Sequence, residues 1–202
     1  MRIPTLIVLL VLTACAAEPP GRPAAQAPDG ARAGVVDSIF PIEEEIRRFQ
    51  ATLPDTARRL IGGEASREAL IARFVRALEQ ADSAAFAPMA VSRAEFGFLY
   101  FPESRFTRKP YRTKPGLLWA QLVNASSRGV NRAFERYGGK PLGFTGFDCP
   151  AEPAAEGANR VWEGCTVTIR PAGTDSARTL HLFGSLLERD GVWKFLSFSN
   201  DL

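Results

Sequence analysis

Three cysteines and one histidine are the side chains of this 202-residue chain whose chemistry is most readily interpreted. Cys15 ends an N-terminal apolar run, whereas Cys149 and Cys165 lie near each other in the last third of the chain. A thiolate is a nucleophile and a metal ligand, and paired thiols form disulfides in oxidising compartments. Histidine is the residue type that most often transfers protons near neutral pH, and His181 is the single example. Glu95, Tyr100 and Asp148 are further polar groups beside apolar residues that could take part in acid–base chemistry, and no spacing joins them as a set.

The N-terminal segment has the form of an export signal. Arg2 supplies a positive charge, and the apolar stretch 3–12 is too short to span a bilayer. The following Leu12-Thr13-Ala14-Cys15 resembles the lipobox of bacterial lipoproteins, in which cleavage precedes the cysteine and the thiol receives a diacylglycerol. The resemblance implies a signal peptide of residues 1–14 and an acylated Cys15 that anchors the chain to a bacterial envelope membrane, facing the periplasm or exterior. The alternative is an ordinary secretory signal with a chance cysteine.

A tether and one domain are expected after the signal. Residues 15–34 are rich in Ala, Pro and Gly and lack a periodic apolar pattern, which indicates a flexible coil whose ends lie on the order of 25 Å apart. Residues 35–202 have the length and apolar content of a single domain. The formal net charge of +3 is too small to indicate a nucleic-acid partner.

The remaining two thiols, Cys149 and Cys165, favour a disulfide. They are an even pair in a chain that we expect to be exported, and closing a loop of this size contributes roughly 3 kcal/mol in the chain-entropy model. The alternative is a metal-binding or catalytic thiol pair. Its spacing matches no ligand motif, so we expect no metal site and no cofactor.

A basic segment follows the middle of the chain. It contains five cations within ten positions, interleaved with aromatic residues and lacking acids: Arg105, Arg108, Lys109, Arg112 and Lys114. One interpretation is an anion site for phospholipid headgroups, phosphate or an anionic envelope polymer. The other is a solvated loop.

Catalytic motifs are few. The sequence has no Gly-x-Ser-x-Gly elbow, phosphate loop or His-Glu-x-x-His motif. His181 lies between two leucines of a predicted strand, where it would point either into a pocket or to solvent. The aromatic run 96–101 is interpreted as core or as a pocket wall. A pocket, where present, is expected to be lined by Tyr100, Trp119, His181 and Phe183.

Helices are predicted first and strands last. Apolar periodicity and caps predict helices that begin near Pro41, at Arg67 after Ser66 and at Gly116, and Ser92 with Glu95 forms a capping box. Residues 160–200 predict three successive antiparallel strands, the last two joined at Asp190-Gly191. This hairpin would pair Leu186 with Phe195 on one face of the sheet. Phe183 and Phe198 would lie on the other face, so both faces would carry apolar residues.

The order of these elements predicts an α+β fold, with N-terminal helices on a curved antiparallel sheet of about four strands. Glu79-Gln80-Ala81-Asp82 after an early helix and the closing Leu186-Leu-Glu-Arg-Asp-Gly-Val-Trp-Lys-Phe-Leu-Ser-Phe198 look like the cone-shaped, cystatin-like fold of the nuclear transport factor 2-like superfamily. That superfamily includes isomerases, cyclases and dehydratases as well as domains that only bind. None of its catalytic motifs can be matched here, so the resemblance implies a fold and not an activity.

Three functions remain open at this point. The first is a lipid-anchored domain that binds an envelope protein or a small apolar ligand without catalysis, with a homodimer through the sheet as a further option. The second is a small-molecule enzyme of the same fold. The third is a structural surface protein that holds anionic material through residues 105–114.

Overall fold

Side-chain caps determine where two helices begin. The computed structural model describes residues 40–202, so the predicted signal peptide, Cys15 and the predicted tether lie outside the described residues. The Ser66 hydroxyl accepts a hydrogen bond from the Ala69 N–H, and Ser92 and Glu95 form a reciprocal capping box, as predicted. The helices are α1 (Ile42–Gln50), α2 (Arg67–Glu79), α3 (Phe86–Met89), α4 (Arg93–Glu95) and α5 (Pro115–Tyr137).

A compact, irregular helical segment joins α4 to α5. It begins with one turn of π-helix, Phe96–Tyr100, and continues with 3₁₀ turns at Phe101–Glu103 and Arg105–Thr107. Gly97 allows α1 to pack closely here, because a Cβ at this position would lie 2.9 Å from Phe49 Cε1 of α1. A further 3₁₀ turn, Ser83–Ala85, precedes α3.

Seven strands within residues 40–202 form two antiparallel sheets. They are β1 (Phe144–Asp148), β2 (Ala154–Glu156), β3 (Asn159–Glu163), β4 (Thr166–Ile169), β5 (Arg178–Leu180), β6 (Ser185–Arg189) and β7 (Val192–Ser197). One sheet has the order β2-β3-β6-β7 and the other β1-β4-β5. The α+β class is therefore confirmed, and a cone shape stays a prediction.

The predicted sheet of about four strands is divided because two of the predicted strands are interrupted. The stretch 160–169 is broken between β3 and β4 at Gly164, which has a φ of +76° that favours glycine. The stretch 178–189 is broken between β5 and β6. Both interrupted strands therefore contribute one half to each sheet.

The Asp190-Gly191 hairpin is confirmed. Both turn residues have positive φ, 53° and 77°, and Leu186 pairs with Phe195 as predicted. The register then shifts between Ser185 and Leu186. Because this bulge reverses the alternation, Phe183 and Phe198 pack with Phe195, and their predicted placement on the opposite face was wrong.

Hydrophobic cores cover both faces of the four-stranded sheet. On one face, Leu186 and Phe195 join the side chains of α2, around Phe74, in the first core. On the other face, Val161 and Leu187 join Phe49 of α1, the π-helical turn and Leu118 of α5 in the second core. The two-sided apolar pattern of the strands is explained by this arrangement.

The Cys149–Cys165 disulfide is present, as predicted. Asp148 pairs with Thr166 at the end of β1 and β4, so the two cysteines occupy the next position of the same antiparallel pair. The enclosed residues 150–164 are not an irregular loop, because they include β2 and β3.

The outer edge of β7 is covered by single backbone bridges. Glu64 exchanges two hydrogen bonds with Trp193, at 3.0 and 2.8 Å, and the Val91 N–H donates to the Phe195 carbonyl at 2.9 Å. These bonds use main-chain groups of β7 that face away from β6.

Candidate functional site

Helix α5 forms one wall of the candidate site and is fixed against the segment that follows β7. The Phe198 N–H donates to Ser126 Oγ at 3.0 Å, and Asn200 Nδ2 donates to the Gly129 carbonyl at 2.8 Å. Arg132 Nε donates to Asn200 Oδ1 at 3.0 Å. A Cβ on Gly129 would clash with the Phe198 carbonyl oxygen, so glycine is required for this close approach.

An open apolar groove lies where α5 separates from β7. Its volume is about 380 Å³, within the range of about 300–1,000 Å³ typical of ligand pockets. The apolar lining comes from α3, α5 and β7 and the residues beside them: Phe86, Ala87, Ala90, Val91, Trp119, Leu122, Val123, Val130, Phe195, Leu196 and Phe198. We call this site the α5 groove.

Polar groups of the α5 groove are few and lie among the apolar residues. Ser83, Ser126, Ser127 and Asn131 contribute hydroxyl and amide groups to its lining. Ser126 accepts a hydrogen bond from the Phe198 N–H, and a hydroxyl that accepts one bond keeps its own proton to donate. The α5 groove therefore combines an apolar surface with a few groups that could orient a ligand.

A second cavity of about 320 Å³ is lined by a buried ion pair, Glu95 and Lys194. Lys194 Nζ lies 2.8 Å from Glu95 Oε2 and donates to the Ile61 carbonyl at 2.7 Å. Glu95 also accepts from the N–H groups of Ile61 and Ser92, each at 2.7 Å. Because three donors occupy this carboxylate, its arrangement is that of a satisfied structural ion pair.

A third group of charges lies at the edge of the second core. Burial, assisted by the negative charge of Glu156, raises the pKa of Tyr100 far above its usual range. Burial also raises the pKa of Glu156, although Arg105 opposes the effect. Arg105 Nη2 lies 2.8 Å from Glu163 Oε1, and its Nε lies 3.8 Å from Glu156 Oε1.

The structure does not bring the four predicted pocket residues together. Tyr100 is buried in the second core, and Trp119 packs beside that core and lines the α5 groove. Phe183 is buried in the first core against Phe74. His181 is exposed in the break between β5 and β6, where it and Phe183 line one open cavity of about 280 Å³.

The basic segment is divided by its contacts. Arg105 pairs with acidic side chains of β2 and β3, whereas Arg108, Lys109 and Arg112 are exposed. Lys114 lies at the start of α5 and lines a small cavity with Arg112. The acidic partners of Arg105 are more than 50 positions away in the chain, so the local sequence gave no signal for them.

Sequence reasoning also missed the α5 groove and Lys194. Trp119 was the one predicted pocket residue that lines the groove. Lys194 alternates with Val192 and Leu196 in β7, a pattern that could have indicated a lysine directed towards the second core.

Comparisons of the chain with family models, curated proteins and solved structures find no match. Within residues 40–202, no helix has the length and apolar character needed to cross a membrane. No group of three or more His, Cys, Asp or Glu side chains in that same part of the chain is placed to hold a metal ion.

Proposed function

We propose that this chain is a lipid-anchored protein of the bacterial cell envelope whose folded domain binds a small apolar ligand without catalysing a reaction. The lipobox-like sequence that ends at Cys15 supports the anchor. The disulfide agrees with export to an oxidising compartment. The nuclear transport factor 2-like cone remains part of this proposal and rests on the sequence resemblance.

The observation that carries the ligand proposal is the α5 groove. Apolar side chains that remain accessible in a concave site gain free energy when a ligand removes them from water. Ala87 and Ala90 contribute small side chains to the lining, which leaves room that larger residues would fill. Val123 is 41% exposed beside this space, so its side chain is accessible to a ligand in the groove.

The test uses a secreted form that begins at residue 16, which retains all described elements and omits the lipid. Titration with the neutral fluorescent probe N-phenyl-1-naphthylamine is expected to show one saturable site. Val123→Asp places a carboxylate in the groove and should weaken binding at least tenfold, because a charge resists transfer into an apolar site. A tenfold change corresponds to about 1.4 kcal/mol.

Leu117→Asp is the matched control. Leu117 is also a large aliphatic residue of α5, is 54% exposed and does not line the groove, so affinity should change by less than about twofold. Equal affinities in all three proteins would contradict the groove as the binding site. Recovery of a bound protein and no small molecule from the native host would instead favour a partner protein as the occupant.

The anchor is tested separately. Intact mass of the protein from its native host should include diacylglycerol-type additions at Cys15, and Cys15→Ser should abolish both the added mass and membrane fractionation. An unmodified cysteine would contradict the anchor and leave the groove proposal unaffected.

A further inference from the structure

The loop between the 3₁₀ turn at Arg105 and helix α5 is a folded structure. The Thr113 N–H donates to the Phe106 carbonyl at 2.9 Å, and the Arg112 N–H donates to the Arg108 carbonyl at 3.0 Å. The rings of Phe106 and Tyr111 pack with their centroids 5.4 Å apart. These contacts hold the loop in one conformation while its cationic side chains point to solvent.

Three cations of this loop are available to a ligand. Arg108, Lys109 and Arg112 are exposed and form no side-chain ion pair with any described residue. Arg105 differs from them because Glu163 and Glu156 balance its charge. Arg105 is therefore paired within the domain, whereas Arg108, Lys109 and Arg112 present their charges at its surface.

Exposed apolar side chains flank these cations. Tyr111 lies within the loop and Leu117 in the first turn of α5, and each is 54% exposed. Tyrosine has an apolar ring and a polar tip, a combination enriched where proteins meet the membrane–water interface. Cations together with such side chains match the chemistry of an anionic bilayer surface.

The start of the described chain lies beside this loop. Phe40, Pro41, Ile42 and the acidic Glu45 line one small cavity with Arg112 and Lys114. The described chain therefore begins on the same side of the domain as this loop.

We propose that Arg108, Lys109, Tyr111, Arg112 and Leu117 form a surface, here called the basic surface, that docks on the headgroups of an anionic bilayer. The anchor proposal gives the docking its biological setting, because a tethered domain meets the bilayer repeatedly. The charge and exposure of the basic surface do not depend on lipidation. Docking would hold the domain in one orientation on the membrane.

The test uses the secreted form that begins at residue 16, so lipidation cannot supply the binding. Co-sedimentation is measured with vesicles of phosphatidylglycerol and phosphatidylcholine, and with phosphatidylcholine alone. We expect binding to the anionic vesicles that weakens as salt is added. Because each basic side chain near an anionic surface contributes roughly fivefold, Arg108→Ala, Lys109→Ala and Arg112→Ala together should weaken binding about 100-fold.

A second triple variant controls for net charge. Arg58, Arg59 and Arg76 are exposed elsewhere, and replacing them by Ala removes the same charge from other sites. This variant should bind within about threefold of the parent protein. Thermal unfolding of both triple variants checks that each remains folded.

The apolar part of the basic surface has its own pair of variants. Leu117→Asp should reduce binding to anionic vesicles, whereas Val123→Asp, which alters the α5 groove, should not. Equal loss in the two triple variants would overturn the proposal, because only net charge would then matter. Binding to soluble polyglutamate without binding to anionic vesicles would also overturn it and assign the loop to a polymer. A negative result with vesicles would overturn only the docking proposal. The groove titration and the intact mass at Cys15 would still test the proposed function.

Discussion

Glu95 and Lys194 are the most deeply buried pair of opposite charges among residues 40–202, with side chains 5% and 3% exposed. Each is fixed by further bonds to the main chain around Ile61. Burying two charges costs solvation free energy, and their mutual attraction offsets it only while both are present. The pair therefore connects β7 to α4 in a manner that depends on both side chains.

Removing one charge tests this dependence. Lys194→Met should lower the free energy of unfolding by about 3–5 kcal/mol, because Glu95 would remain buried without its counter-charge. Urea unfolding monitored by tryptophan fluorescence measures the change. Glu95→Gln combined with Lys194→Met should cost less than Lys194→Met alone, and the exposed Lys140→Met should cost less than about 0.5 kcal/mol. A loss below 1 kcal/mol for Lys194→Met would show that the pair contributes little.

The contacts of a residue could be predicted when its partner is near in sequence, or when only one partner of the required type remains in the chain. The Ser92–Glu95 capping box depends on a four-residue motif, and the disulfide followed from counting the thiols. The burial of Lys194 and the pairing of Arg105 depend on contacts between distant segments. No local pattern specifies those contacts, so these features required the structure.

At the scale of elements, α5 has two distinct roles. Gly129 packs against the segment that follows β7. Other side chains of α5, between Trp119 and Asn131, line the α5 groove. The width of the groove therefore depends on the close contact at Gly129.

A methyl group at position 129 tests this role. Gly129→Ala should lower the free energy of unfolding by about 1–3 kcal/mol through overpacking, although alanine is intrinsically the better helix former. Gly116→Ala is the control on the same helix, because a Cβ there would lie an ordinary 3.9 Å from Phe49 Cδ2. It should be neutral or slightly stabilising in the same chemical denaturation. Equal stability of the two variants would contradict the close contact.

Helices were predicted better than strands. The predicted starts at Arg67 and Gly116 agree with the observed starts to within one residue, because caps and apolar periodicity are local. The strand pattern was continuous, yet the breaks at Gly164 and at 181–184 divide it between two sheets. Alternation alone does not reveal where a strand changes sheets, and the bulge beside Ser185 reversed the predicted facing of Phe183.

At the scale of the whole molecule, the disulfide closes a loop that contains two strands of the other sheet. Cys149 and Cys165 extend the β1–β4 pair, while the residues between them form β2 and β3. In the unfolded chain, the cross-link therefore restricts the conformations of segments that form strands of both sheets.

Cys149→Ser with Cys165→Ser should lower the free energy of unfolding by about 3 kcal/mol in the chain-entropy model. Denaturation with and without reductant measures it, since reductant should destabilise the parent protein and leave the double variant unchanged. Two reactive thiols in the untreated parent protein would contradict the cross-link.

The bridges from Glu64 and Val91 along β7 protect this strand edge from pairing with other copies of the chain at high concentration. The lipid-anchored population that we propose would be crowded in two dimensions, where an open strand edge would invite neighbouring copies to add strands and polymerise. Here the N–H and carbonyl groups of Trp193 and the carbonyl group of Phe195 are already bonded within the chain. An incoming strand would have to displace those bonds first, which protects this edge from cross-β assembly.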